Sequence, residues 1–213
     1  MHIAIEGMDG SGKTSQAKTL AERTGGEFIA KSFHEMHDTS GVYDGFVTID
    51  KYTCGDIPGI YGIRQNYFFN KLENRDVVTD RFYISNYWSR ANDLTVDYFR
   101  NISMVWGEPD LMLILYADSE TLYKRIYGRN KYDKDLVKPK MSEMAYQRMF
   151  QFAEQMNFEV LVIDNSNISF DETSEVIYYA YKFGKEQCVE KYPSICRILQ
   201  PKKRIINTFS YRI

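Results

Sequence analysis

Eight residues near the amino terminus carry the clearest chemistry. Gly7-Met8-Asp9-Gly10-Ser11-Gly12-Lys13-Thr14 fits the spacing GxxxxGK[ST]. Glycines in such a run let the backbone curl until its N–H groups point inward. Those donors, with the N-terminus of the next helix, can cradle a polyphosphate. Lys13 then reaches the outer phosphates, and the Thr14 hydroxyl ligates magnesium. A second group is Asp80-Arg81, directly after the apolar Val77-Val78-Thr79. The plain alternative is a surface ion pair, but a polar pair at the C-terminal end of a strand is where α/β proteins bind ligands. A third is the basic stretch Gly128–Lys140, with Arg129, Lys131 and Lys134. Such a loop is commonly a solvated connector. Between two helices it can also close over a site and exclude water. Phosphoryl transfer asks a protein for this combination, positioning plus positive charge around the moving group.

The elements that must position these residues alternate between strand and helix. Met1–Glu6 reads as a short buried strand leading into the loop. Gly12–Thr24 reads as a helix with Ala17, Leu20, Ala21 and Thr24 on one face, ended by Gly25-Gly26. Glu27–Ser32, Asp76–Thr79, Leu111–Tyr116 and Val160–Ile163 read as further strands. Pro58–Leu72 and Tyr83–Trp106 read as helical, the latter in one or two pieces. A helix capped by Asp118 or Ser119 runs to Tyr127. Met141–Asn157 is amphipathic, with Met141, Ala145, Met149, Phe152 and Met156 on one side, and Phe170–Lys185 is the last helix. Strands separated by helices imply a parallel sheet covered on both faces. Residues 34–57 are irregular, and the pattern fades after Lys185.

Bulk properties narrow the function class. Net charge is −2, so there is no electrostatic case for nucleic acid or an anionic membrane as partner. No apolar run approaches the roughly 20 residues of a membrane span. The opening strand reads as part of the fold rather than a cleavable signal. Cys54, Cys188 and Cys196 form no CxxC pair, which argues against a disulfide framework or zinc site and for a reducing, cytoplasmic compartment. Aromatics reach 15%, mostly Tyr, as expected of a Tyr-rich rim to the core. Two apparent GTPase signatures, Asp56-Ile57-Pro58-Gly59 and Asn130-Lys131-Tyr132-Asp133, follow no buried strand and are read as chance.

The ordered set of motifs resembles the thymidylate kinase family of P-loop nucleoside monophosphate kinases. Ile5 to Gln16 is similar to the family's IEGxDGSGKTTQ opening. Val77 to Phe82 with Ser85 is similar to VVxDRYxxS. Pro109-Asp110-Leu111, then Leu122 and Arg125 to Asp133, resemble its PDL strand and RxxxR lid. Val162 to Ser166 resembles VIDxS on the adenine side. The resemblance spans about residues 3 to 183, with the opening shared by many P-loop kinases and the ordered set more specific. It implies ATP and Mg2+ as cofactors, held by Gly7, Gly10, Ser11, Gly12, Lys13, Thr14 and Asn165, with Thr14 and Asp80 at the metal. It implies that Asp9 contacts the acceptor sugar, that Arg81 binds the acceptor phosphate, and that the chain is a homodimer. The family carries a catalytic arginine in the phosphate loop or in the lid. Here the loop position is Gly10, so the lid must supply it, Arg129 first and then Lys131 or Lys134.

Two departures bear on the acceptor. After its second strand the family has FPRYD or REPGG, whereas Phe33-His34-Glu35-Met36-His37-Asp38 holds no arginine. The family reads thymine with an aromatic residue and an arginine four positions on, whereas Tyr61 is followed there by Gln65, and Arg64 is one position early. Phe33, Tyr61, Arg64 and Gln65 are the substrate-side candidates. Deoxynucleoside kinases place a glutamate after the second strand as general base, because a neutral hydroxyl must lose its proton. Glu35 is either such a base or an exposed loop acid. The expected fold is α/β, a three-layer P-loop kinase sandwich with a parallel sheet of about five strands flanked by helices, with a lid. The kinase domain is expected over 1–187, its lid about 128–140, and a tail over 188–213. The expected activity is ATP-dependent phosphorylation of a deoxynucleoside monophosphate, dTMP first. A deoxynucleoside kinase and a non-catalytic nucleotide-binding module are the alternatives.

Overall fold

At the centre of the fold lies β1 (His2–Gly7), an apolar strand with every residue buried. It runs parallel to β3 (Val77–Asp80) on one side and β4 (Leu111–Tyr116) on the other. The structure is a computed structural model, described over residues 1–29, 75–90 and 96–199. Beyond β3 lies β2 (Glu27–Ile29), and beyond β4 lies β5 (Val160–Asp164), both parallel to their neighbours. The sheet order is β2-β3-β1-β4-β5-β6, in which β6 (Cys196–Leu199) pairs antiparallel with β5. The sheet is therefore mixed, with a sixth strand where about five parallel ones were expected. That strand comes from residues with no clear period, because an edge strand of four residues is too short to show one.

Alternation along β1 sends Ile3 and Ile5 to one face and Ala4 to the other. On the Ile3 face lie α1 (Lys13–Thr24), α6 (Phe170–Phe183) and α7 (Lys185–Lys191), burying Leu20, Val176 and Ile177 against Leu113 and Leu161. On the Ala4 face lie α2 (Tyr83–Arg90), α3 (Val96–Trp106) and α5 (Ser142–Met156), burying Tyr83, Phe99 and Phe152 against Met112 and Val162. These are the three expected layers. Cys188 on α7 and Cys196 on β6 are both buried free thiols, 3.9 Å apart.

Two local expectations shift. The buried face of α5 is Ala145, Tyr146, Met149, Phe152 and Ala153, while Met141 is exposed and Met156 only packs at the edge. Met141 precedes the helix as its N-cap, so it cannot share the stripe. The basic stretch is more ordered than a loop. Helix α4 (Ser119–Arg129), capped by Asp118, continues into it, and a 3-10 helix covers Lys134–Met141, capped by Asp133. Asn130 closes α4 rather than following a strand, consistent with reading NKxD as chance.

Candidate active site

The loop Gly7–Gly12 leaves β1 and enters α1 with Gly7, Gly10 and Gly12 all at positive φ, a backbone that L side chains rarely adopt. Ser11 N–H donates to the Met8 carbonyl (3.1 Å), and the Lys13 ammonium folds back onto the same oxygen (2.5 Å). Burial, reinforced by the Arg81 charge, pulls Lys13 down to about 7, against Asp80, Asp9 and Glu6. The loop thus sets a buried ammonium beside a second cation, Arg81.

Glu6 fixes what stands beside it. This fully buried carboxylate accepts from the backbone N–H groups of Phe82 (3.1 Å), Ile84 (2.9 Å) and Ser85 (2.9 Å). Three donors suit a buried charge, which is costly without such partners. The Ser85 hydroxyl accepts from Gly7 N–H (3.0 Å), so the turn after β3 is tied to the loop twice. Within that turn Arg81 holds φ 74°, a rare backbone for a non-glycine residue and one that clusters at working sites. Its guanidinium donates to Asp9 Oδ1. Asp9 Oδ2 takes the Lys138 ammonium at 2.6 Å. Burial alone would raise the Asp9 carboxyl, but Arg81, Lys13 and Lys138 together hold it well below the usual carboxylate range.

Thr14 Oγ1 donates to Asp80 Oδ2, while among the described residues Asp80 Oδ1 is buried without a partner, as is the Ser11 hydroxyl. An orphaned carboxylate oxygen beside a hydroxyl suits a hard divalent cation, which takes oxygen ligands. Across the loop, Asn165 Nδ2 donates to the Ser11 carbonyl (2.9 Å). Arg125 donates to Asn165 Oδ1 (3.1 Å) and to its carbonyl (2.7 Å). A cleft of about 240 Å³ is bounded by Asp9, Lys13, Thr14, Arg81, Arg125 and Arg129, with Gly10 and Gly12 on its wall.

Helix α4 crosses close above Gly10. A β-carbon there would meet Ile126 Cγ1 at 2.9 Å and the Leu122 carbonyl at 3.1 Å. The loop therefore has no room for the arginine that the resemblance looks for at this position.

Lys13, Thr14, Asp80, Arg81, Asp9, Asn165 and the loop glycines thus converge. Arg129 borders the cleft, but its guanidinium is paired with Asp133 at 2.5 Å on the exposed side. Lys131 turns onto the Tyr132 ring, and Lys134 is exposed. Phe33, Glu35, Tyr61, Arg64 and Gln65 lie outside the described residues. Sequence reasoning overlooked Lys138, the bracing role of Glu6, and the Arg125–Asn165–Ser11 chain. Lys138 was signalled only by membership of the basic stretch, and Arg125 only by the RxxxR spacing.

The family profile described as "AAA domain" matches residues 3–151, which include β1, the glycine loop, β3, β4 and the basic stretch. The chain belongs to this AAA-domain family. Curated relatives bear out the motif-level resemblance to the thymidylate kinases and, with it, the expected kinase activity. A probable thymidylate kinase of Methanocaldococcus jannaschii is 27% identical over 190 residues, 84% of this chain and 95% of that protein. One of Methanococcus maripaludis (strain C6) is 25% identical over 191 residues, 84% of this chain and 93% of that protein. A solved deoxyadenosine kinase from M. mycoides with bound dCTP superposes with TM-score 0.56 at 19% identity, over 85% of this chain and 99% of that one. That likeness supports the fold, and this AAA-domain chain has the mostly parallel, helix-flanked sheet expected of it.

Proposed function

We propose that this chain is an ATP-dependent, magnesium-assisted kinase for a deoxynucleoside monophosphate, with dTMP as first acceptor. The observation that carries the reading is the convergence of Lys13, Arg81 and Thr14 on one cleft at the glycine loop, with Asp80 hydrogen-bonded to Thr14. The loop N–H groups and Lys13 bind the donor's phosphates. Lys13, crowded by Arg81, gains most from a polyphosphate, which supplies the counter-charge that burial withholds. Arg81 orients the acceptor phosphate, and Asp9 meets the acceptor's sugar while restraining Arg81. Arg129, at the end of α4, borders the cleft and serves as the lid arginine. The Arg125–Asn165 pair flanks the donor base. Thr14 and Asp80 would hold magnesium, which neutralises phosphate charge when bound. The acid-base demand is small, since a monophosphate is already anionic.

The reading includes a homodimer in the cytoplasm, with no nucleic acid or membrane partner. Net charge of −2 supports the former exclusion. Among the described residues, no helix is long and apolar enough to cross a membrane. A second reading, a deoxynucleoside kinase, is favoured by one feature: Phe33–Asp38 holds Glu35 and no arginine.

The test is ADP release across deoxynucleosides and their monophosphates. Turnover with dTMP is expected, and Lys13→Ala should reduce it by at least about a hundredfold while melting stays near wild type. Turnover with thymidine alone, abolished by Glu35→Gln, would replace the first reading by the second. ATP binding without turnover on any acceptor would leave a nucleotide-binding module.

A further inference from the structure

We propose that Lys138 is the working cation of the lid, parked on Asp9 and turned onto the phosphoryl group during transfer. The proposal rests on the kinase reading above. Lys138 Nζ lies 2.6 Å from Asp9 Oδ2 and 2.8 Å from Asp135 Oδ1. It thereby bridges the 3-10 helix to the phosphate loop. The other cations of the segment are engaged elsewhere or exposed: Arg129 borders the cleft but pairs with Asp133, Lys131 covers Tyr132, and Lys134 and Lys140 are exposed.

The backbone around Lys138 is built to hold it there. The next residue, Pro139, is buried, has a fixed φ, and accepts at its carbonyl from the Ser119 hydroxyl (2.9 Å). Asp133 caps the start of the same 3-10 helix through the Asp135 N–H (2.9 Å). The lysine stem is flexible and ends in a compact point charge, so the ammonium can change partners while the backbone stays pinned.

Charge explains why it would change partners. Asp9 offers one negative charge to Arg81 and Lys138 together, with Lys13 close by. A phosphoryl group in transfer carries more negative charge, spread over its outer oxygens. The acceptor phosphate competes for Arg81 at the same time. A loop arginine cannot do this work, because α4 fills the space above Gly10. A cation presented from the lid meets the requirement, and Lys138 is the lid cation whose ammonium contacts the phosphate loop among the described residues.

Lys138→Met should lower kcat about a hundredfold or more, while ATP affinity by calorimetry stays within about threefold. Lys138→Gln is the second variant should the first fold poorly, and Lys138→Arg should recover part of the rate. Lys124→Met, which removes a surface pair with Glu120, is the charge control and should be silent. A readout independent of the acceptor is binding of ADP with magnesium and aluminium fluoride, which mimics the group in flight. Lys138→Met should weaken that complex at least about tenfold and leave ADP alone unchanged. Unchanged kcat and unchanged mimic binding overturn the proposal, as does the same pattern appearing in Arg129→Ala instead. A wild type that binds the mimic through Lys138 yet turns over no acceptor sinks the kinase reading and keeps Lys138. A wild type that neither turns over nor binds the mimic sinks both.

Discussion

Asp9 is the residue on which the site's charges balance. It sits in the phosphate loop, yet its carboxylate holds Arg81 from the turn after β3 and Lys138 from the 3-10 helix. Removing that charge takes from Arg81 its carboxylate partner among the described residues and leaves Lys138 with Asp135 alone. Asp9→Asn should therefore destabilise the fold by about 1–3 kcal/mol at neutral pH, the range for leaving a charged partner unsatisfied. Because the folded carboxyl is depressed below its ordinary 3.8, this contribution is present above that value and lost as pH falls through the folded one. Melting of wild type and variant should differ at pH 7 and converge in acid. A difference that persists unchanged in acid would mean that Asp9 acts through shape rather than charge.

At the scale of elements, the parts with long, strong periods were legible and the short or composite parts were not. Leu111–Tyr116 and the helix after the glycine loop are set by apolar runs and glycine stops, and they lie where the pattern puts them. The apolar stripe of α5 was read one turn too far toward Met141, because methionine spacing continues across a boundary that the 3-10 helix makes. Lys138 was missed for a related reason: five cations in a polar stretch look alike until a buried proline and a capped turn aim one of them. The converging loop residues were legible because a motif with fixed spacing encodes a fixed backbone path. The correct stripe carries a prediction. Phe152 is fully buried and stacks on Tyr87 at 4.0 Å between ring centroids. Phe152→Ala should cost about 3–5 kcal/mol in chemical denaturation, whereas Met141→Ala should fall within about 0.5 kcal/mol of wild type. Equal costs would restore the stripe read from sequence.

Across the whole molecule, one sheet separates two apolar cores, and the site lies at the C-terminal ends of its central strands. The flank matters as much as the centre. Strand β5 is apolar through Val160–Ile163, and β6 occupies its outer hydrogen-bonding edge. An uncovered apolar edge is a template for pairing with other chains. A chain ended after Gly184 should keep the glycine loop and still bind ATP, but it should aggregate on concentration, as light scattering would reveal. A truncated chain that stays dispersed would show that β5 needs no cover.

The closeness of α4 to Gly10 also constrains how such a site can change over generations. An arginine at position 10 meets Ile126 and the Leu122 carbonyl at once, so that substitution is harmful while the helix stands where it does. Trimming Ile126 first opens a gap under α4 with no compensating charge. Each step alone is unfavourable, and even the pair leaves the Leu122 carbonyl 3.1 Å from the new β-carbon. Placing the cation in the loop and placing it in the lid are thus two peaks separated by a valley. A lineage with α4 packed this way is held to the lid solution by the order in which mutations can arrive.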